Sequence, residues 1–159
     1  MKIKGFTLLE LLVILVLISG LALYCLTSFS GFTRKNEQQI ILDEITAAVQ
    51  YAKMQALTLG HPVYLTPLDP SLNWSRGIVL THFNIKSNKM EPLYQWQWNY
   101  HNWNVNWFGI HLSKKITVSN NPVNAISNGK FIIANASSGE RVTIILNRLG
   151  RMKSVKSRT

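Results

Sequence analysis

Lys4-Gly5-Phe6-Thr7-Leu8-Leu9-Glu10 opens an apolar run that continues to Phe29, and the reading of this stretch decides the fold. Between positions 6 and 29 the run carries one charge, Glu10. A helix of about 18 or more such residues spans a bilayer, because its backbone satisfies its own hydrogen bonds and its side chains match the lipid. A carboxylate at the bilayer centre costs roughly 2.5–3.5 kcal/mol on insertion scales, which marks Glu10 as a functional position. No Lys or Arg lies between Phe6 and Gly31 to pair with it. The expected partner is therefore a positive charge from elsewhere, such as the α-amino group that a cut after Gly5 would free on Phe6, on this subunit or on a neighbour packed alongside.

Simpler explanations of the run fit less well. A secretory signal peptide has an apolar core of about 7–15 residues and an A-x-A-like cleavage site, whereas this core is longer and Ser19-Gly20-Leu21-Ala22 imitates such a site poorly. A lipoprotein signal needs a small residue before Cys25, where Tyr24 stands. A plain signal anchor stays open but leaves Glu10 unexplained. Charge alone does not orient the segment, since Lys2 and Lys4 on one side are matched by Arg34 and Lys35 on the other.

Beyond the run about 130 residues remain, enough for one modest domain. The chain has 17 Lys and Arg against 7 Asp and Glu, a net charge of +10. Only Lys2 and Lys4 of these cations precede Phe6, so the excess belongs to the remainder. A surface of this sign favours polyanions such as nucleic acid or anionic lipid without specifying a sequence. The single cysteine, Cys25, lies inside the apolar run and reads as a small buried hydrophobe. The rest of the chain therefore has no intramolecular disulfide to form.

From Arg34 to Leu59 the residues Ile41, Ile45, Ala48, Val49, Ala52, Ala56 and Leu59 recur at three- and four-residue spacing, which predicts one apolar face of a helix. Gly60 and Pro62 end it. Ser30-Gly31 is a weak interruption that bends or loosens a helix without stopping it. Residues 6–59 are thus expected as one helix of about 80 Å, with 6–29 in lipid or a filament core and 30–59 as an amphipathic half. After Pro62, short β-type runs alternate with turn formers. Strands are expected near Val63–Leu68, Gly77–Phe83, Leu93–Tyr100, Trp103–Leu112, Lys115–Val118, Lys130–Ala134 and Arg141–Asn147. Helix first and strands after predicts an α+β fold, a long helix packed against an antiparallel sheet, with 60–159 as the β-rich domain.

Catalysis finds little support. Asp43 and Glu44 are neighbours on a helix and diverge by about 100°, and the other acids form no close pair. His61, His82, His101 and His111 lack metal-ligand spacing, and no phosphate loop or nucleophile elbow is present. No cofactor is expected. The stretch from Tyr94 to Phe108 carries Trp96, Trp98, Trp103 and Trp107 in alternating positions. It reads either as a hairpin whose aromatic face covers the long helix or as a stacking platform for single-stranded nucleic acid or sugar, and exposure decides between the two.

After Glu140 the chain holds no acid, while Arg141, Arg148, Arg151, Lys153, Lys156 and Arg158 are all basic. Gly150 reads as a turn, leaving 151–159 as an exposed strand or a flexible tail. Cations fixed there neutralise phosphates and release counterions, so binding falls steeply with salt. A solubilising tail, or one lying on anionic lipid, is the competing reading.

Three features together, Gly5 before Phe6, Glu10 four residues later and the apolar run, resemble the type IV pilin and pseudopilin superfamily. The resemblance implies a leader of residues 1–5 removed by a prepilin peptidase, N-methylation of Phe6 and a role for Glu10 in assembly. It also implies a pilin-like fold and a single-pass anchor in the bacterial inner membrane, N-terminus cytoplasmic and β-domain periplasmic. Within the superfamily, Ala47-Ala48-Val49-Gln50-Tyr51-Ala52, Trp74-Ser75-Arg76-Gly77-Ile78-Val79 and Arg148-Leu149-Gly150-Arg151 look most like the GspH/FimT branch. Minor pilins of the FimT type carry a G-R-x-R motif that contacts DNA, and Gly150-Arg151-Met152-Lys153 is similar to it with Lys at the last position. The resemblance implies DNA contacts by Arg148, Gly150, Arg151, Lys153, Lys156 and Arg158, other pilins as partners, and no enzymatic activity. A type II secretion pseudopilin that contacts secretion components and has no DNA role is the alternative.

Overall fold

The computed structural model describes residues 7–71, 73–109, 114–121 and 126–157, apart from the side chains of 24–28, 30, 156 and 157. Two compact units divide the chain, Met1–Glu37 and Gln38–Thr159. One helix, α1, runs unbroken over Leu8–Leu59, so Ser30-Gly31 does not end it. In the first unit its described apolar side chains, Leu8 through Leu23, Phe29 and Phe32, are exposed. Among the described residues, no helix is long and apolar enough to cross a membrane. The expected span of residues 6–29 falls in part outside the described residues, at Phe6 and at side chains 24–28.

In the second unit the spacing of the α1 residues governs the packing. Ile41, Ile45, Ala48, Val49, Ala52 and Ala56 are buried on one face, and Leu59 packs beside them. Left-handed Gly60 (φ 69°) closes the helix, its N–H donating to the Ala56 carbonyl at 3.1 Å. Among the described residues, eight strands follow. They are β1 (Val63–Pro67), β2 (Gly77–Asn84), β3 (Lys89–Gln97), β4 (Trp103–Gly109), β5 (Ile116–Val118), β6 (Gly129–Asn135), β7 (Arg141–Leu146) and β8 (Met152–Ser157).

The strands form two four-stranded antiparallel sheets, in the orders β3-β2-β1-β5 and β4-β6-β7-β8, where one sheet was expected. The sequence period of two fixes which residues share a face but not which strands pair. Thus β3 and β4, expected as the arms of one aromatic hairpin, lie in different sheets. Val63, Leu65, Ile78, Leu80, Ile116 and Val118 point inward from the first sheet. Trp103, Val105, Phe131, Ile133, Ile144 and Leu146 do so from the second. Full burial of each large apolar side chain contributes about 1.5–3 kcal/mol. The junction is tied by a short 3₁₀ turn, Trp74–Arg76, whose Ser75 Oγ accepts from the Val105 N–H at 2.8 Å.

The aromatic stretch is chiefly core. Trp98 is 5% exposed and Trp103 1%, so neither offers a face for stacking. Trp96 and Trp107 are half-buried. Trp107 packs on Phe131 with ring centroids 4.7 Å apart, and Trp96 meets Tyr51 of α1 at 5.7 Å. A platform built from these four tryptophans is therefore corrected. Trp98 and Trp103 are shut off from water, while Trp96 packs on the helix and Trp107 on Phe131 with part of each ring still exposed.

Candidate functional site

Gly5 and Phe6, the expected cleavage site, lie outside the described residues, as does Arg158. Next to them α1 begins with a reciprocal cap. Glu10 Oε2 accepts from the Thr7 N–H at 3.0 Å and from its hydroxyl at 3.1 Å, while the Glu10 N–H donates to Thr7 Oγ1 at 3.3 Å. This Thr-x-x-Glu capping box satisfies donors that a helix start otherwise leaves open. Glu10 thus has partners on its own chain. The sequence signal for this box is Thr7-Leu8-Leu9-Glu10 at the head of the apolar run.

At the other end of the chain the basic residues sit on an ordered hairpin. The turn from Asn147 to Arg151 connects β7 to β8 and is held by the Asn147 side-chain oxygen. That oxygen accepts from the Leu149 N–H at 3.0 Å and the Arg151 N–H at 2.8 Å. The Asn147 N–H donates to the Arg151 carbonyl at 3.1 Å, and the Gly150 N–H to the Asn147 carbonyl at 2.9 Å. Gly150 has φ 74°, and a Cβ there would lie 2.6 Å from Ile126 Cδ1 and 2.9 Å from Lys53 Cδ. The left-handed backbone favours glycine, and a side chain there would have to displace the ends of Ile126 and Lys53.

This turn sets the cations outward. Arg148 and Arg151 are exposed at its two ends, and Lys153 is exposed on β8 opposite Ile145. Lys156 stands opposite Val142 in the backbone register, with its side chain outside the described set. Of the two readings of 151–159, an exposed strand or a loose tail, residues 152–157 take the strand. Among the described residues, Arg141, Arg148, Arg151 and Lys153 make no ion pair. Their charge is therefore available to an external anion.

Two further polar clusters are assembled only by the fold. The β1–β2 register, Val63 opposite His82, stacks the His61 and His82 rings at 5.4 Å. Glu91 approaches His82 Nε2 at 4.0 Å and accepts from Asn84 at 2.8 Å and Ser87 at 2.6 Å. These hydrogen bonds, Asn84's first, hold the Glu91 carboxyl below its ordinary pKa. Separately, a cleft of about 470 Å³ runs along Asp69, Asn73, Arg76, Tyr100, His101 and Asn104. Asp69 there faces Arg76 at 3.8 Å, and its pKa is lowered chiefly by the Ser71 N–H.

A helix face packed under antiparallel sheets is a pilin-like fold. FimU, a type IV minor pilin of Pseudomonas aeruginosa PAO1, matches with a TM-score of 0.60 at 18% identity, over 77% of this chain and 90% of its own. A second crystal form of FimU gives 0.56 at 16% identity, over 74% and 91%. EpsH, a minor pseudopilin of the Vibrio cholerae type 2 secretion system, gives 0.58 at 8% identity, over 76% and 97%. At these identities the likeness is one of fold. No curated protein matches in sequence. Residues 42–150 match the family described as type II transport protein GspH, and the chain belongs to that family. It is accordingly a subunit of the minor pilin and pseudopilin class, not an enzyme.

Proposed function

We propose that the chain is a minor subunit at the tip of a type IV pilus-like filament, where it binds extracellular DNA without sequence preference during DNA uptake. The observation that carries this reading is the β7–β8 hairpin, which fixes Arg148, Arg151 and Lys153 outward without an ion-pair partner among the described residues. Phosphates would be neutralised there, Arg151 gripping with its planar fork and Lys153 acting as a point charge. Lys156 belongs to the same strand, and Arg158 adds a further positive charge in the sequence that follows.

The rest of the reading follows from the first ten residues. A prepilin peptidase on the cytoplasmic side cuts between Gly5 and Phe6, and Phe6 is N-methylated. Residues 6–29 then anchor the subunit in the inner membrane with the β-domain periplasmic, and Glu10 meets the α-amino group of a neighbouring pilin during assembly. Retention of residues 1–5 in material from cells making the peptidase, read by mass spectrometry, would overturn this part.

The test of DNA binding uses the full chain in detergent micelles and labelled duplex DNA of mixed sequence. Anisotropy should show micromolar, salt-sensitive affinity that is lost when Arg151 and Lys153 become Gln. Binding that survives both changes would move the site elsewhere. An absence of binding at low salt would favour the second reading, a type II secretion pseudopilin contacting secretion components, which the GspH family match and the likeness to EpsH support.

A further inference from the structure

The outward face of the second sheet carries a rung that crosses all four strands. Phe108 on β4 stands opposite Lys130 on β6, Lys130 opposite Ile145 on β7, and Ile145 opposite Lys153 on β8. The neighbours of the rung residues face the core, Trp107 on β4 packing against it and Phe131 on β6 and Ile144 on β7 buried in it, so this rung faces away from it. Phe108 is 52% exposed and Ile145 45%, and both lysines are exposed. Between Phe108, Ile145 and Lys130 lies a largely apolar hollow of about 390 Å³, bordered by Asn128 and Asn147. Asn147 is the residue that organises the Arg148–Arg151 turn, so the hollow adjoins the basic hairpin.

Resting on the DNA reading above, we propose that this rung is the base-contacting part of the same site and takes a single-stranded segment. One base would lie against Phe108 and Ile145, and its flanking phosphates against Lys130 and Lys153. Charge supports a polyanion, since no acid stands on the rung or on the outward positions beside it: Asn106, Ile132, Thr143 and Val155. The apolar members decide between forms of nucleic acid. A duplex keeps its base faces stacked inside and meets a sheet through phosphates, which leaves Phe108 and Ile145 without a role. A single strand presents base faces, and stacking on an aromatic ring stabilises it whatever the base.

The surface is also preformed. Gly109 and Gly129 pair at the end of the hollow, and the Trp107 ring underlies them from the core side. A Cβ on either would come within 2.9 Å of that ring. Trp107 is itself fixed against Phe131, so little ordering is left for binding to supply.

The experiment compares a labelled oligothymidylate with a duplex of equal length, both binding to the full chain in detergent micelles. Phe108→Leu keeps an apolar side chain and removes the ring. It should weaken oligothymidylate binding about tenfold, and Ile145→Ala should weaken it by less. Duplex binding, carried by Arg148 and Arg151, should stay within about twofold in both variants. Ile145→Ala provides an independent reading if Phe108→Leu lowers the melting temperature. Oligothymidylate binding indifferent to both changes, with duplex binding still dependent on Arg151, would overturn this inference and leave the DNA reading standing. Absence of any DNA binding by the wild type would remove both. Loss of association with another filament subunit in Phe108→Leu, without loss of oligothymidylate binding, would assign the face to protein and likewise overturn it.

Discussion

Lys53 on α1 donates from Nζ to the Leu149 carbonyl at 3.2 Å, joining residues 96 positions apart and tying the β7–β8 turn to the helix that carries the core. The bond matters because of what flanks it. Leu149 lies between the two exposed arginines, so the helix, rather than the sheet alone, determines where Arg148 and Arg151 stand.

Substituting Gly150 tests that coupling. Alanine in a left-handed backbone costs roughly 1–2 kcal/mol, and here its Cβ would also press on Ile126 and Lys53. Gly150→Ala should lower the denaturation midpoint and weaken DNA binding together. Lys53→Met, which keeps the stem and loses the donor, should do less of both. A Gly150→Ala variant with wild-type stability would show that the turn is not held against the helix.

Position 153 offers a gain of function. Lys153 lies on the outward face of β8 without an ion pair among the described residues, and arginine there would add a fork able to bind phosphate through two parallel hydrogen bonds. Lys153→Arg should tighten duplex binding roughly twofold to tenfold with little change in its salt dependence. The single change Arg151→Gln should instead reduce the slope of log affinity against log salt by about 0.9. A tighter Lys153→Arg complex with a markedly steeper slope would show that more phosphates were recruited than the geometry allows.

Acid sensitivity follows from Glu91. Its folded-state pKa lies below the ordinary 4.5, first because Asn84 and then because Ser87 donates to the carboxylate. The unfolded chain therefore takes up the proton more readily, and the stabilisation is present above about pH 4.5 and disappears as pH falls through the folded value. Asp69, depressed below 3.8 chiefly by the Ser71 N–H, adds a second loss at lower pH. Melting temperature should fall on the acid side of 4.5, and Glu91→Gln should flatten the upper part of that fall. An unchanged profile in Glu91→Gln would remove the hydrogen bonds as its cause.

The sequence spoke most clearly where one period met one partner. Ile41, Ile45, Ala48, Val49, Ala52 and Ala56 lie on a helix whose face has only one place to go, and all six are buried. Most strands were placed near their observed starts for the same reason. Pairing was not legible, because Leu80 can face Tyr94 and Trp107 can face Phe131 only after the chain between β3 and β4 has changed sheets. The alternation Met152-Lys153-Ser154-Val155-Lys156 was masked by its charges, so β8 stayed open between strand and tail. Phe108 was read as the end of a tryptophan series, although the same alternation puts it on the opposite face from Trp103 and Trp107. His61, His82 and Glu91 are brought together by hairpin registers that no local spacing announces.

The remaining prediction separates two tasks that meet in one side chain. Glu10 completes a capping box with Thr7, and the assembly role proposed for it depends on charge. Glutamine caps nearly as well as glutamate but carries no charge. Glu10→Gln should therefore keep the first helical amides protected from hydrogen exchange, whereas Glu10→Ala should expose them, since losing a cap costs a helix about 1 kcal/mol. Both variants should still enter the membrane, because removing a carboxylate from an apolar run lowers the cost of insertion. Both should also fail to join a filament if the acid meets a neighbour's amine. Filament incorporation of Glu10→Gln alongside failure of Glu10→Ala would reassign the residue, from pairing between subunits to fixing the start of its own helix.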